Sequence, residues 1–373
     1  MRMVKIMNNK VGILTHYNVN NQGAQLQMYA LAKKIEEFGL NPIILTYNKN
    51  FDFIDDSEKK KNIITVRSIP YFLKEFLLKK GIKQTYFNYK KYIKNLKFRK
   101  YNFNYAKYTE GNVDTAVVGS DEVFSIETGV NIMMYGHAVN CKRIISYAPS
   151  FGQTDIEKLE QKRCKELVKS GLSTFDYLSA RDINTKEVIE VLTNREVIEV
   201  CDPVILYDFS SEKTPSIKKI KKKYIVIYGY DRHFVDKDEI NEIKKYAKKK
   251  KLLTVSVGTF HKWCDKNITC NCLEWMEYIR NSEGIITDTF HGTILSSITN
   301  RPMAIYVRDK INANKLIDLI TKLGLENRRL NSITFEDIEK VFNNFIDFKS
   351  LNDKINQLRE FSSRYLKEAL NIE

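Results

Sequence analysis

The sequence predicts an α/β protein of two units, each a parallel, doubly wound sheet. Three observations carry that expectation. Short apolar runs alternate with stretches of helical periodicity, and the alternation is played out twice. Between the two rounds, Asp208 to Lys223 (DFSSEKTPSIKKIKKK) loses hydrophobic pattern and gains Ser, Pro and Lys, as an interdomain linker does. A chain of 373 residues has room for two domains of ordinary size, each with its own core.

In the first round, Val11 to Thr15 reads as a strand. The polar loop His16 to Gly23 follows, then a helix from Ala24 to Phe38 that Gly39 stops, then a strand from Pro42 to Tyr47. Ligands of open α/β sheets bind at strand carboxyl ends. The loop is therefore either a plain crossover or a crevice lined by Asn21 and Gly23, with Gln27 on the first helical turn. Thr115 to Val118 is the next buried strand and ends in Gly119-Ser120-Asp121-Glu122, whose Ser and Asp either cap the following helix or bind sugar hydroxyls. Arg143 to Ala148 runs into Pro149-Ser150-Phe151-Gly152, again small polar groups at a strand end, and Asp155 to Lys169 is helical. Tyr177 to Ala180 leads to Arg181-Asp182, a cation that either pairs with its neighbour at the surface or faces a ligand. Ile198 to Cys201 and the turn Asp202-Pro203 close this half.

The second round reads strand Tyr224 to Gly229, helix Lys237 to Lys250, strand Leu252 to Val257 and helix Leu273 to Asn281. Strand Gly284 to Thr287, a helix from Ile294, strand Met303 to Val307 and helix Asn312 to Leu323 follow, and Phe348 to Leu370 is one terminal helix. His291 stands where the strand ending at Thr287 turns into a helix, between Thr289 and Gly292. It either caps that helix or works at its N-terminus, where unpaired N–H groups and the dipole favour an anion.

Composition narrows the classes. With 43% hydrophobic and 29% charged residues the chain reads as soluble and globular, and no apolar run approaches the ~18 residues of a membrane span. Met1 to Lys10 lacks the apolar core of a signal peptide, and six cysteines form no disulfide framework, so a cytoplasmic location is expected. The net charge of +15 is concentrated: Lys59 to Lys107 holds 15 Lys and Arg against Glu75 alone, interleaved with aromatic residues. That mixture suits a solvated helical hairpin or contact with an anionic membrane surface, and no nucleic-acid module accompanies it. His261, Cys264, Cys270 and Cys272 have spacing unlike a zinc ribbon, so no metal is expected. Neither a G-x-G-x-x-G dinucleotide fingerprint nor a G-x-S-x-G nucleophile elbow occurs.

Taken together, the segments resemble the polysaccharide pyruvyl transferase family. The matching pieces are Asn21 to Gln27 (NQGAQLQ) with Ala30-Leu31, Val118 to Phe124 (VGSDEVF), Ser146 to Gly152 (SYAPSFG), Ser179 to Asp182 (SARD) and Asp202-Pro203. Thr287 to Gly292 (TDTFHG) and Leu323 to Leu325 with Arg328 complete the set, in the family's order and from about residue 11 to 330. The resemblance implies two Rossmann-like domains in a GT-B-like arrangement with a cleft between them. Residues 1–210, with a basic aromatic insertion at about 57–110, and 211–345 would be the domains, and 346–373 the terminal helix.

The resemblance further implies phosphoenolpyruvate as co-substrate, no cofactor, and a carbohydrate acceptor of a surface polysaccharide or its lipid-linked precursor, converted to a cyclic pyruvate ketal. Arg181 matches the family's donor-binding arginine and His291 its catalytic histidine. Thr289, Gly292 and Thr293 would lie around the donor. Asn21, Gly23, Gln27, Gly119, Ser120, Asp121, Ser150 and Phe151 would lie around the acceptor. Two positions depart from the pattern. Some members carry an arginine where this chain has Thr289, which leaves Arg308, Lys310 and Lys315 as candidate replacement cations, and a common Trp is Phe124 here. A histidine titrating near neutrality suits a reaction that moves protons both ways, and an anionic donor needs cations and helix N-termini. Two other readings stay open: a GT-B glycosyltransferase using a nucleotide sugar, and a binding protein for carbohydrate or a membrane surface whose catalytic groups have drifted.

Overall fold

A computed structural model describes residues 9–50, 81–127, 129–308 and 310–372. Its first sheet contains β1 (Lys10–Leu14), β2 (Asn41–Thr46), β3 (Tyr105–Lys107), β4 (Val113–Val118) and β5 (Cys141–Ser146) in the order β3-β2-β1-β4-β5, all parallel. A parallel pair, β6 (Ser179–Ala180) and β7 (Ile198–Glu199), extends it through a bridge from Ile145 to Tyr177. The second sheet contains β8 (Tyr224–Tyr228), β9 (Leu253–Val257), β10 (Lys266–Ile268), β11 (Ile285–Thr287), β12 (Met303–Tyr306) and β13 (Arg329–Leu330). Their order is β10-β9-β8-β11-β12-β13, again all parallel. Strands buried on both faces read as continuous apolar runs, and β8 (YIVIY) is buried at every position.

The order of each sheet reverses once, between β1 and β4 in the first and between β8 and β11 in the second. Chain leaving the carboxyl ends of strands that flank such a reversal is left uncovered by crossover helices, so a crevice forms there. The loops after β1, β4, β8 and β11 are therefore the segments that the fold presents to a ligand.

Twelve helices cover the sheets among the described residues. In the first half they are α1 (Gln22–Glu37), α2 (Gly81–Asn102), α3 (Ile156–Gln161), α4 (Lys165–Leu172), α5 (Ile183–Thr193) and α6 (Pro203–Leu206). The second half adds α7 (Lys237–Lys249), α8 (Cys272–Arg280), α9 (Phe290–Ile298), α10 (Lys310–Leu323), α11 (Phe335–Asn343) and α12 (Phe348–Ala369). The helix expected over Asp155 to Lys169 is two helices, because Arg163 takes a left-handed conformation (φ +54) and ends α3. The short elements β3, β10, β13, α6 and α11 lie beyond the expectation from periodicity: Lys266-Asn267-Ile268, for example, is a polar edge strand without an apolar run.

One apolar cluster runs through both halves, joining Ile13, Leu26 and Tyr147 to Tyr228, Trp275 and Ile294. α1 is central to it, and Gln22 Nε2 at its start donates to Cys270 O of the second domain at 3.0 Å. α12 follows the second domain in sequence but packs back on the first. There Tyr365 Oη donates to Ser146 O (3.0 Å), Ser362 Oγ accepts from Cys201 N (2.9 Å), and Arg359 Nε donates to Ile205 O (2.9 Å).

Of the basic aromatic insertion, residues 51–80 lie outside the described residues, and the remainder is dominated by the single long helix α2. It braces the two domains. Arg99 and Asn95 hold the loop at Asn18 to Asn20, with Asn95 Nδ2 donating to Asn20 Oδ1 at 2.8 Å. Gln84 Nε2 donates to Asp231 Oδ2 (2.8 Å), Lys94 pairs with Glu274 (2.8 Å), and Phe87 meets Phe260 edge-on. No helix among the described residues is long and apolar enough to cross a membrane. Cys264 packs in one core cluster and Cys270 and Cys272 in another, all as free thiols, and among the described residues no set of three ligating side chains is placed to hold a metal.

Candidate active site

The two switch points open into one cavity of about 710 Å³ between the domains. The first domain contributes His16 after β1, Asn21 and Ala24 at the start of α1, Lys49 after β2, Asp121 and Glu122 after β4, and Arg181 after β6. From the second come Tyr230, Arg232 and His233 after β8, Asp288 to His291 after β11, Arg308 after β12, and Lys315 of α10. The N-termini of α1 and α9 thus open on the same space, where their partial positive charge favours an anion.

Behind this wall, Asp202 is a fully buried junction. Its Oδ2 accepts from Gln27 Nε2 at 2.5 Å and from Arg181 Nη1 at 3.2 Å, and Oδ1 accepts from Val204 N at 2.9 Å as the cap of α6. His291 Nε2 stands 3.6 Å from Oδ2, at ion-pair rather than hydrogen-bond distance. Burial alone would raise the Asp202 carboxyl. The charges of His291 and Arg181, with the Val204 N–H, outweigh it and hold the group down to about 2. Asp202 therefore stays ionised and fixes both Arg181 and the ring of His291. His291 Nε2 is buried on that side.

A second histidine–carboxylate pair stands on the same cavity. His233 Nδ1 lies 2.7 Å from Asp288 Oδ2, whose carboxylate also accepts from Arg308 Nε at 2.5 Å. Arg308 is further held by a two-pronged pair with Glu239, both bonds 2.9 Å, and stacks over Phe234. Asp121, in a left-handed conformation (φ +79), faces several cations. Burial would raise its carboxyl, but His16, Arg181 and His291 pull it below the ordinary value.

The structure brings Arg181 and His291 to one carboxylate and places Asn21, Asp121, Thr289, Arg308 and Lys315 on the cavity wall. Thr289 caps α9: its Oγ1 accepts from Gly292 N at 3.0 Å and pairs with Thr287 Oγ1 at 2.9 Å. Asn21 caps α1 by accepting from Gly23 N and Ala24 N. Lys315 is tied to Glu122 and Arg308 to Asp288 and Glu239, so neither is an idle cation. Lys310 opens α10, but its side chain lies outside the described residues.

Other expected site residues sit behind the wall. Gln27 is spent on Asp202. Gly119, Ser120, Ser150, Phe151 and Thr293 do not line the cavity. Ser150 Oγ donates to Asp182 Oδ2 (2.7 Å), Phe151 packs on Phe124 in the core, and Thr293 Oγ1 donates to Thr289 O (3.1 Å). Ser120 Oγ is buried. At Gly119 (φ +131) a Cβ would overlap Tyr147 O, and at Gly292 it would overlap Thr287 Oγ1. Phe124 is likewise a core residue, stacked on Tyr135.

Gly23 has a sharper reason to lack a side chain: a Cβ there would overlap His291 Nδ1 of the opposite domain. Gly23→Ala is thus expected to displace the ring, lowering turnover by about 10²-fold through misplacement alone while leaving the fold intact. Parallel measurement of kcat and thermal melting checks this. An unchanged kcat would separate His291 from the chemistry.

Sequence reading missed Asp202 as a site residue, and with it His16, Lys49, Arg232, His233 and Asp288. Lys49 and Arg232 matter because, among the described residues, they line the cavity without a carboxylate partner. Both follow the ends of strands, β2 and β8, which is the signal that could have found them. For Asp202 the one available signal was the Asp-Pro turn after β7.

A parallel two-domain α/β architecture with its cavity at facing switch points is the GT-B-like class. S. aureus MnaA, in its UDP co-structure, shares it at a TM-score of 0.50 and 13% identity, covering 98% of each chain. So does a Listeria monocytogenes protein assigned as a UDP-N-acetylglucosamine 2-epimerase, at a TM-score of 0.53 and 10% identity over 97% of this chain and 96% of that one. Such identities establish the fold alone. A search of curated proteins returned no match. The profile of the polysaccharide pyruvyl transferase family matches residues 21–310, most of the chain and every loop of the cavity that lies between those positions. The chain belongs to the polysaccharide pyruvyl transferase family, a family of transferases.

Proposed function

We propose that the protein transfers the pyruvyl group of phosphoenolpyruvate to two hydroxyls of one sugar, in a surface polysaccharide or its lipid-linked precursor, and that it does so in the cytoplasm. The observation that carries this reading is the junction at Asp202, which locks a guanidinium from one domain and an imidazole from the other at a cavity rimmed by two helix N-termini. A small, highly charged donor matches it: Arg181 with Lys49 and Arg232, which lack a carboxylate partner among the described residues, takes carboxylate and phosphate, and the N–H groups opening α1 and α9 add to the field.

The reaction balances without a cofactor. A proton is delivered to the donor's methylene carbon, which becomes a methyl group, while the oxygen of one sugar hydroxyl bonds to C2 and gives up its proton. The second hydroxyl oxygen then bonds to C2 as the C2–O bond to phosphate breaks, and its proton leaves with inorganic phosphate. Of these three proton movements, the delivery to carbon and the removal from the first hydroxyl occur at separate positions and call for two groups. His291, oriented by Asp202, serves one, and His233, oriented by Asp288, stands on the same wall for the other.

Thermal-shift titration with phosphoenolpyruvate against UDP-, GDP- and CMP-sugars tests the reading directly. Stabilisation by phosphoenolpyruvate is expected, about 2.7 kcal/mol at a hundredfold excess over its Kd. Stabilisation by a nucleotide sugar alone would replace pyruvyl transfer with glycosyl transfer. Binding without turnover on any sugar acceptor would favour a drifted binding protein.

A further inference from the structure

The outer face of α2 and the groove beside it form a surface with no part in the cavity chemistry. α2 contains no Asp or Glu in its 22 residues. Ile82, Tyr86 and Tyr89, spaced four and three apart, fall on one line of the helix and are 76%, 56% and 61% exposed. Lys83, Lys90 and Lys97 flank that line, with the Lys90 ammonium 4.3 Å from the centre of the Tyr86 ring. Below them, Lys90 and Lys94 form one wall of an open groove of about 990 Å³. Lys218, Lys219, Lys221 and Lys222 of the interdomain linker form the other, with Lys266 of β10.

Sequence scatters these lysines over three segments, and only the fold assembles them. The two carboxylates of the groove are already engaged: Asp265 accepts from Thr254 N and Oγ1, and Glu274 accepts from Lys94 and Asn271 N. Lys94 apart, none of the groove lysines has a carboxylate partner among the described residues.

We propose that this face docks the protein on an anionic phospholipid bilayer. A convex line of tyrosines and an isoleucine, bordered by lysines, has the make-up of a helix lying in a headgroup layer: rings at the interface, ammonium groups among the phosphates. The groove extends the positive field over a width that suits many headgroups rather than one anion, since its lysines are exposed and converge on no single point. Nucleic acid fits less well. A strand tracking the groove needs rings inside it for stacking, whereas these rings stand on the outer ridge, and the groove's own Tyr278 is buried.

The test requires neither donor nor acceptor, so its failure would leave the ketal-transfer reading standing. Full-length protein is sedimented with vesicles of phosphatidylcholine alone and of phosphatidylcholine mixed with phosphatidylglycerol, at low and high potassium chloride. Partition to the anionic vesicles should exceed that to neutral ones at least about tenfold and fall as salt rises. The triple variant Lys219→Ala, Lys221→Ala, Lys222→Ala should lower it about 10²-fold, three lysines each contributing near the surface. The pair Tyr86→Ser, Tyr89→Ser should lower it at every salt concentration, because ring burial is not screened, and circular dichroism checks that both variants fold. Equal partition to neutral and anionic vesicles, or full binding by the triple variant, would overturn the proposal. Tighter, salt-sensitive binding of a single-stranded oligonucleotide that the triple variant loses would assign the groove to nucleic acid instead.

Discussion

His291→Gln is expected to lower turnover by about 10² to 10⁴-fold while leaving phosphoenolpyruvate binding within a few-fold of the unaltered protein. Glutamine keeps the polarity and roughly the length of the side chain, so packing against Gly23 and the approach to Asp202 survive, but an amide cannot exchange a proton near neutrality. On the proposed reading, donor affinity rests on other groups: the guanidinium of Arg181, Lys49 and Arg232, which have no carboxylate partner among the described residues, and the two helix N-termini. The expected signature is therefore a fall in kcat with little change in donor Kd, measured by single-turnover kinetics and by titration. Loss of binding with kcat retained at saturation would make His291 an anion-binding residue.

Asp202→Asn should injure both stability and activity. Arg181 and Asp202 are buried together, and removing one charge leaves the other uncompensated, which costs about 3 to 5 kcal/mol in such pairs. Turnover should fall at least about 10²-fold, since the amide no longer holds the His291 ring as an ionised carboxylate does. The sign with pH is definite. A carboxyl held at about 2, against about 3.9 when unfolded, stabilises fully above pH ~5 and loses that contribution as pH falls toward 2. The difference between the variant and the unaltered protein in urea unfolding should thus be level from pH ~5 to ~8 and shrink below ~4. The double variant Asp202→Asn, Arg181→Met should regain much of the stability and none of the activity, which separates the two effects.

Much of the fold was legible because buried parallel strands announce themselves as apolar runs between polar strand ends. β1, β4, β8 and β11 are of this kind, and so the loops that form the cavity could be expected from sequence. Arg181 and His291 came within reach through the family resemblance rather than through spacing. What stayed hidden depends on convergence. Asp202 looks like half of an Asp-Pro turn until Gln27, 175 residues away, and His291 arrive at its carboxylate. Gly23 reads from sequence as part of a crossover loop or a crevice wall, and what excludes a side chain there is a ring from the other domain. Conversely Phe151 and Ser150 sit at a strand end as expected, yet the chain turns them inward, Phe151 onto Phe124 and Ser150 onto Asp182, so position along a strand does not by itself decide which way a side chain faces.

The return of α12 to the first domain bears on how the protein is made. Domains ordinarily fold as units in the order in which they leave the ribosome. Here Cys201 N and Ile205 O of the first domain are bonded by Ser362 and Arg359, and Ser146 O, already bonded by Ser179, gains Tyr365. The half synthesised first is consequently finished last. During translation, the surface that α12 will cover waits through the whole emergence of the second domain.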